Sequence, residues 1–263
     1  MPIRQGFTVE HGADKEAAFS FAADHGVEYL ELNMDHQFDR RRVDTARVRE
    51  LAETYDVDLA VHLPYRVDVG TPLEHVRRGS CRELEASIDA AVEMGAEKGV
   101  YHATTWVRAS KWDHGQVRDC LYASVDRLTE YANERGFEAV VENVKSPFFD
   151  ASDFPDLFER TDATACLDTG HAQVTEMPGK KQADLLREHG DRITHLHLNE
   201  TRNSQSDEHL PVGLGKVEFD AIAAALVETD WDGTCTHEVF SYSNEPRAFG
   251  KARFDELLAG ANS

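Results

Sequence analysis

Residues 193–199 read Ile193-Thr194-His195-Leu196-His197-Leu198-Asn199. Successive side chains of a strand point to opposite faces, so His195, His197 and Asn199 share one face while Leu196 and Leu198 take the other. A strand buried on both sides should be apolar on both sides. Polar groups at its C-terminal end mark the place where α/β barrels gather functional residues. An amphipathic segment, 218–228, follows. Read outward from here, the same unit recurs eight times. Apolar runs at 6–10, 27–33, 58–62, 99–102, 138–142, 163–168, 193–199 and 234–240 are each followed by a helical pattern, at 14–25, 44–55, 82–94, 116–135, 152–160, 182–189, 218–228 and 245–258. Asp44-Thr45 and Asp150-Ala151-Ser152-Asp153 are helix starts, and Gly26, Gly95 and Gly136 are helix stops. Strands alternating with helices pair in parallel through right-handed crossovers. Eight units in 263 residues predict one α/β domain over 1–263, a closed (β/α)8 barrel. An open doubly wound sheet favours a Gly-rich phosphate loop after its first strand, and Glu10-His11-Gly12-Ala13-Asp14 is not one. The longest irregular stretches are 64–79 and 200–217, and loops of that length in a compact domain are commonly functional.

Composition sets the setting. No apolar run approaches the roughly 18 residues of a membrane span, and the first residues do not read as a signal peptide. The expectation is a soluble, cytoplasmic protein without a membrane partner. Forty-nine acidic residues against 28 basic ones give a formal charge of −21, which opposes nucleic-acid binding at ordinary salt. The acid is spread along the chain, and there are 8 Lys against 20 Arg. This reads as an acidic, halophilic-type protein, for which the Debye length falls to about 3 Å at 1 M salt. Cys81, Cys120, Cys166 and Cys235 form no CxxC pair and read as small hydrophobes in a reducing compartment.

Ionisable residues stand at or just beyond the strand ends. Nine of them converge on the predicted barrel mouth: His62, His102, Glu142, Asp168, His171, His197, Asp207, His209 and Glu238. Glu31, Asn33 and Asn199 also stand at strand ends. A lone strand histidine is more often a satisfied core residue. Nine such groups at one rim read as a metal site, since four carboxylates in one pocket repel one another unless a cation joins them. Imidazole and carboxylate without thiolate suit Zn, Mn, Co, Fe or Ni. His195 lies one step deeper and reads as structural support. Glu31 reads as a substrate contact or the buried partner of an Arg. His11, His25, His36, His75, His114, His189 and His237 read as surface or packing residues. Arg40-Arg41-Arg42 and Arg77-Arg78 read as solvated runs.

At these residues the chain resembles the xylose isomerase-like TIM-barrel superfamily, over 27–239. The motifs are His62-Leu63-Pro64-Tyr65, Tyr101-His102, Val141-Glu142-Asn143, Leu167-Asp168-Thr169-Gly170-His171-Ala172, His195-Leu196-His197-Leu198-Asn199-Glu200, Asp207-Glu208-His209-Leu210-Pro211-Val212-Gly213-Leu214-Gly215 and Thr236-His237-Glu238. Resemblance to its sugar isomerases and epimerases implies one Mn, Co or Mg ion on Glu142, Asp168, His197 and Glu238. It implies that Glu142 and Glu238 also act as acid and base on opposite faces of a substrate, passing through a metal-stabilised enediolate. It implies that His171 holds substrate oxygens and that an Arg follows strand 7, for which Arg202 is the candidate. Glu31, Asn199, Arg202 and His195 complete the candidate substrate-binding set. The substrate is then a sugar, sugar phosphate or related polyol, and the assembly a possible homo-oligomer. Resemblance to endonuclease IV implies instead that all nine residues hold two or three Zn ions that cut DNA at abasic sites. That family's small-residue segment after the strand 5 Glu is absent, since Val144-Lys145-Ser146-Pro147-Phe148-Phe149 stands there. The Asp207–Gly215 run is common in the sugar phosphate isomerase/epimerase grouping. The sugar reading is therefore preferred, with the abasic-site hydrolase as its alternative.

Overall fold

The computed structural model describes residues 3–9, 12–203 and 205–262. Glu10 and His11 lie outside the described residues. Eight parallel strands close a barrel in chain order. They are β1 (Arg4–Val9), β2 (Tyr29–Asn33), β3 (Asp58–His62), β4 (Lys98–His102), β5 (Glu138–Glu142), β6 (Thr164–Asp168), β7 (Ile193–Leu198) and β8 (Thr234–His237). Between and after them run α1 (Lys15–Asp24), α2 (Thr45–Tyr55), α3 (Glu74–Met94), α4 (His114–Asn133), α5 (Phe154–Arg160), α6 (Thr169–Val174), α7 (Gly179–His189), α8 (Phe219–Glu228) and α9 (Glu245–Ala261). This is the expected (β/α)8 barrel. Aspartates start several of the helices. Asp14, Asp44 and Asp113 accept the N–H of Ala17, Arg47 and Gln116 at 2.9, 3.0 and 2.9 Å, which satisfies donors a helix start leaves open.

The alternation of the strands sorts the core into two layers. Leu30, Leu32, Leu59, Val61, Leu196 and Leu198 are buried in the large apolar shell that includes the helix faces. On the other face Val100, Val140 and Cys166 form a small separate cluster. Most of the rest of that face is polar: Tyr29, Glu31, His195, His197 and Thr236 are all buried. A Cβ on Gly6 would stand 2.3 Å from the Tyr29 ring, so only glycine leaves room for that phenol. The four cysteines are free, and three are buried.

Three differences from the expectation stand out. Helix α3 starts at Glu74 rather than at 82, so the irregular stretch after β3 is shorter. Its first turns are exposed and carry Gly79, a poor helix former that hides the pattern. Helix α6, not anticipated, starts directly on the last residue of β6, with Asp168 Oδ1 accepting His171 N–H at 2.6 Å. Strand β8 ends at His237, which puts Glu238 just beyond it. The arginine runs are tied down. Arg40 pairs with Glu83, Arg41 with Asp39 and Arg78 with Glu74, while Arg77 donates to Thr71 O. No helix among the described residues is long and apolar enough to cross a membrane.

Candidate metal centre

The nine strand-end residues meet in three groups. Glu142, Asp168, His197 and Glu238 bring one donor atom each within 4.8 Å of one another. His62, His102 and Glu142 form a second group, and His171, Asp207 and His209 a third. Glu142 belongs to two of them. His197 Nδ1 stands 3.3 Å from Glu142 Oε1, 3.3 Å from Glu238 Oε2 and 3.9 Å from Asp168 Oδ2. The Nε2 atoms of His62 and His102 face each other at 3.2 Å, with Glu142 Oε2 at 3.4 and 3.0 Å. Asp207 Oδ2 lies 2.9 Å from His171 Nε2 and 2.8 Å from His209 Nε2.

The second ring nitrogens show that these histidines are aimed. His62 Nδ1 meets Leu63 O at 2.9 Å, His171 Nδ1 meets Asn143 O at 3.0 Å and His209 Nδ1 meets Glu238 O at 3.3 Å. A carbonyl only accepts, so each Nδ1 carries the proton and each Nε2 turns a lone pair to the cluster when the ring is neutral. Metal-ligating histidines are held this way. Glu142 Oε2 is buried without a well-aligned hydrogen bond. Two facing imidazole nitrogens and this oxygen surround one point, a position that a cation fits. The all-N,O donor set suits Zn, Mn, Co or Mg.

The electrostatics follow from crowding. Burial, with Glu238, Glu142 and Asp207 outweighing His171, pushes the Asp168 carboxyl up to about 7. Burial works the same way on Glu142 and Glu238. There the imidazoles win: His102 and His197 beside the first, His197 and His209 beside the second, hold both well below the usual range. Burial lowers His62, but Glu142 more than restores it, to about 9. Burial prevails at His102 and pushes it down. Imidazole protons thus balance the buried carboxylates, a role that a divalent cation would take over if bound.

Further residues shape the centre. Asn143 receives the Asp168 N–H at 2.8 Å and donates to Asp168 O at 3.1 Å. Asn199 donates to Asp168 Oδ2 at 2.6 Å. Thr169 Oγ1 bridges His197 O and Asn199 O at 3.1 and 2.7 Å. Asn143 lay within a quoted motif, but no role for it was legible. Glu200 is buried and fastens the loop that carries Asp207 and His209. Its carboxylate accepts the N–H of Gly213 at 2.5 Å and of Val217 at 3.3 Å, and its backbone pairs with Leu210. His209 itself has φ 45°, a left-handed conformation that costs a non-glycine residue about 1–2 kcal/mol.

A cavity of about 360 Å³ opens above the groups, lined by Asn33, Asp35, His36, His62, Tyr65, His102, His171, His209, Glu238 and Phe240. That is the size of a small-ligand site. Phe240 stacks on His209 with ring centroids 3.8 Å apart. His36, expected at the surface or in packing, lines this mouth. Its position in a loop after β2 gave no pattern to read.

The four residues expected to touch substrate fall elsewhere. Glu31 and His195 are fully buried below the metal-ligand groups and bond each other, His195 Nε2 to Glu31 Oε2 at 3.0 Å. Glu31 is indeed a buried partner, but of histidines rather than of an Arg. Asn199 is fully buried against Asp168. Arg202 is exposed and paired with Glu208, outside the residues that line the mouth.

The comparisons agree with this architecture. A family model described as xylose isomerase-like TIM barrel matches residues 19–254. Fructoselysine 3-epimerase of Shigella flexneri is 24% identical over 93% of this chain and 92% of its own length. A probable endonuclease 4 of Mycobacterium ulcerans is 26% identical over 73% of this chain and 75% of its own. Among solved structures, a D-tagatose 3-epimerase-like protein superposes with a TM-score of 0.83 at 20% identity, covering 99% of this chain and 98% of that one.

Proposed function

We propose that this chain, which belongs to the xylose isomerase-like TIM barrel family, is a divalent-metal-dependent epimerase or isomerase of a sugar or related polyol. The observation that carries the reading is the group formed by Glu142, Asp168, His197 and Glu238 at the floor of the mouth. A divalent cation held by these four would supply Lewis-acid polarisation of a substrate carbonyl and offset the negative charge that develops on its oxygen. Glu142 enters from β5 and Glu238 from the end of β8, with His197 Nδ1 between them at 3.3 Å from each. In this reading one carboxylate removes the proton from the carbon beside the carbonyl and the other returns one to the opposite face. His171, at the rim, holds a substrate hydroxyl. The epimerase activity in the name of the Shigella relative supports the reading. Among the described residues no Lys or Arg lines the cavity, which favours a neutral sugar over a sugar phosphate.

A second reading rests on the other two groups. With all nine residues loaded by Zn, the centre would suit hydrolysis of a phosphodiester, as the endonuclease 4 likeness suggests. The charge of −21 and the paired arginine runs weigh against it. The deciding experiment is element-resolved mass spectrometry on protein purified in high salt without chelator, followed by two assays. Solvent deuterium entering a ketose at the carbon next to its carbonyl supports the epimerase. Chelator-sensitive nicking of an abasic duplex, with no exchange into any ketose tested, overturns it in favour of the hydrolase.

A further inference from the structure

A hydrogen-bonded column runs up the barrel interior and ends on the metal-ligand groups. Lys98 Nζ donates to Thr194 O at 2.8 Å and to Thr234 Oγ1 at 3.0 Å. Thr234 Oγ1 meets His195 Nδ1 at 2.6 Å. His195 Nε2 meets Glu31 Oε2 at 3.0 Å, and His197 Nε2 meets Glu31 Oε1 at 3.1 Å. Thr236 Oγ1 donates to Glu31 Oε2 at 2.7 Å. Glu31, His195, His197 and Thr236 are all fully buried.

With both imidazoles neutral, the donors run in one direction. A carboxylate only accepts, so His195 carries its proton on Nε2; His197 faces carboxylates from both nitrogens, and in the neutral ring the shorter contact, 3.1 Å to Glu31 against 3.3 Å to Glu142, takes the proton on Nε2. Nδ1 of His195 is then an acceptor, and the Thr234 hydroxyl donates to it, having itself accepted from the ammonium. In that neutral ring Nδ1 of His197 presents its lone pair to Glu142, Asp168 and Glu238. His62, His171 and His209 are anchored the other way round, through Nδ1 to neutral carbonyls. His197 alone of these four is anchored by a charge.

We propose that Glu31 is a positioning residue which, braced by His195 and Thr236, fixes the His197 tautomer and strengthens that imidazole as the neutral donor of the first group. The proposal rests on the metal reading above. Such outer partners typically change metal affinity by about 10–100-fold.

The test is competition of Co²⁺ between a chromophoric chelator and the protein, read with the visible Co²⁺ spectrum, for the wild type, Glu31→Gln and Thr236→Val. Thermal melts of the metal-free proteins report on the fold. Glu31→Gln is expected to weaken the tightest Co²⁺ site by about 10–100-fold and to shift its absorption band. Thr236→Val removes one neutral donor and is expected to weaken it by about two- to tenfold. Metal-free melting close to wild type would separate this from a general loss of structure. Affinity and spectrum unchanged in Glu31→Gln overturn the inference and leave the proposed function standing. A wild type that binds no Co²⁺ overturns both. Should Glu31→Gln fail to fold, Thr236→Val decides: weakened binding supports the column, and unchanged binding overturns it.

Discussion

Replacing Glu142 by Gln tests the centre at its most connected point. The carboxylate faces His102 at 3.0 Å, His197 at 3.3 Å, and His62 and His171 at 3.4 Å. Gln keeps the shape and removes the charge. A general base contributes about 10²–10⁴ in rate, equivalent to about 3–5 kcal/mol of activation free energy at 1.36 kcal/mol per decade. The variant is therefore expected to exchange substrate protons at least about a hundredfold more slowly. Two donor groups lose a member at once, so metal content should fall as well. The metal-free fold should persist, because the neighbouring imidazoles can release protons when their counter-charge goes. The assay is proton NMR of a ketose substrate in D₂O, with metal content measured on the same sample. A Glu142→Gln variant whose exchange stays within about tenfold of wild type would refute the acid–base assignment.

Four further outcomes follow from the geometry. Chelation should lower the melting temperature: a site filled at about 1,000 times its Kd contributes about 4 kcal/mol. In a chain of this length that is on the order of 8–16 °C, and an unchanged melt would argue against bound metal. Gly170→Ala would bring a Cβ to 1.9 Å from Asn199 Oδ1 and displace Asn199 from Asp168; a loss of about 2–5 kcal/mol by denaturant titration is expected. Glu200→Gln turns an amide NH₂ toward backbone N–H groups and should cost about 1–3 kcal/mol, with metal lost first from the His171–Asp207–His209 group by mass spectrometry. Arg202→Ala should leave stability within about 0.5 kcal/mol and turnover unchanged, since Arg202 is exposed and pairs with Glu208 of its own loop. A large fall in turnover would return it to the site.

The barrel and the residues of the three donor groups were legible because strand geometry is periodic. Once His195-Leu196-His197-Leu198 is read as alternating, the inward face is set, and the mouth collects what stands at each strand end. Tertiary context decided the rest. The partner of Glu31 could not be read, because His195 and His197 lie more than 160 positions away and nothing local requires them. Helix α6 hid because its cap, Asp168, is also a strand residue. His36 and Phe240 belong to loops, whose paths follow no period. Arg202 shows the limit of proximity in sequence: it follows β7 closely, yet its loop turns it outward onto Glu208.

Glu142 stands in two donor groups, and this has a thermodynamic consequence. Whatever occupies the His62–His102 side changes affinity on the Asp168–His197–Glu238 side, and the same factor applies in reverse. The two positions therefore cannot fill as independent sites. A metal titration should depart from a simple sum of separate isotherms, and the stoichiometry reached will depend on free cation concentration. If the proposed metal reading holds, cation supply, as much as sequence, sets which nuclearity the barrel presents to a substrate.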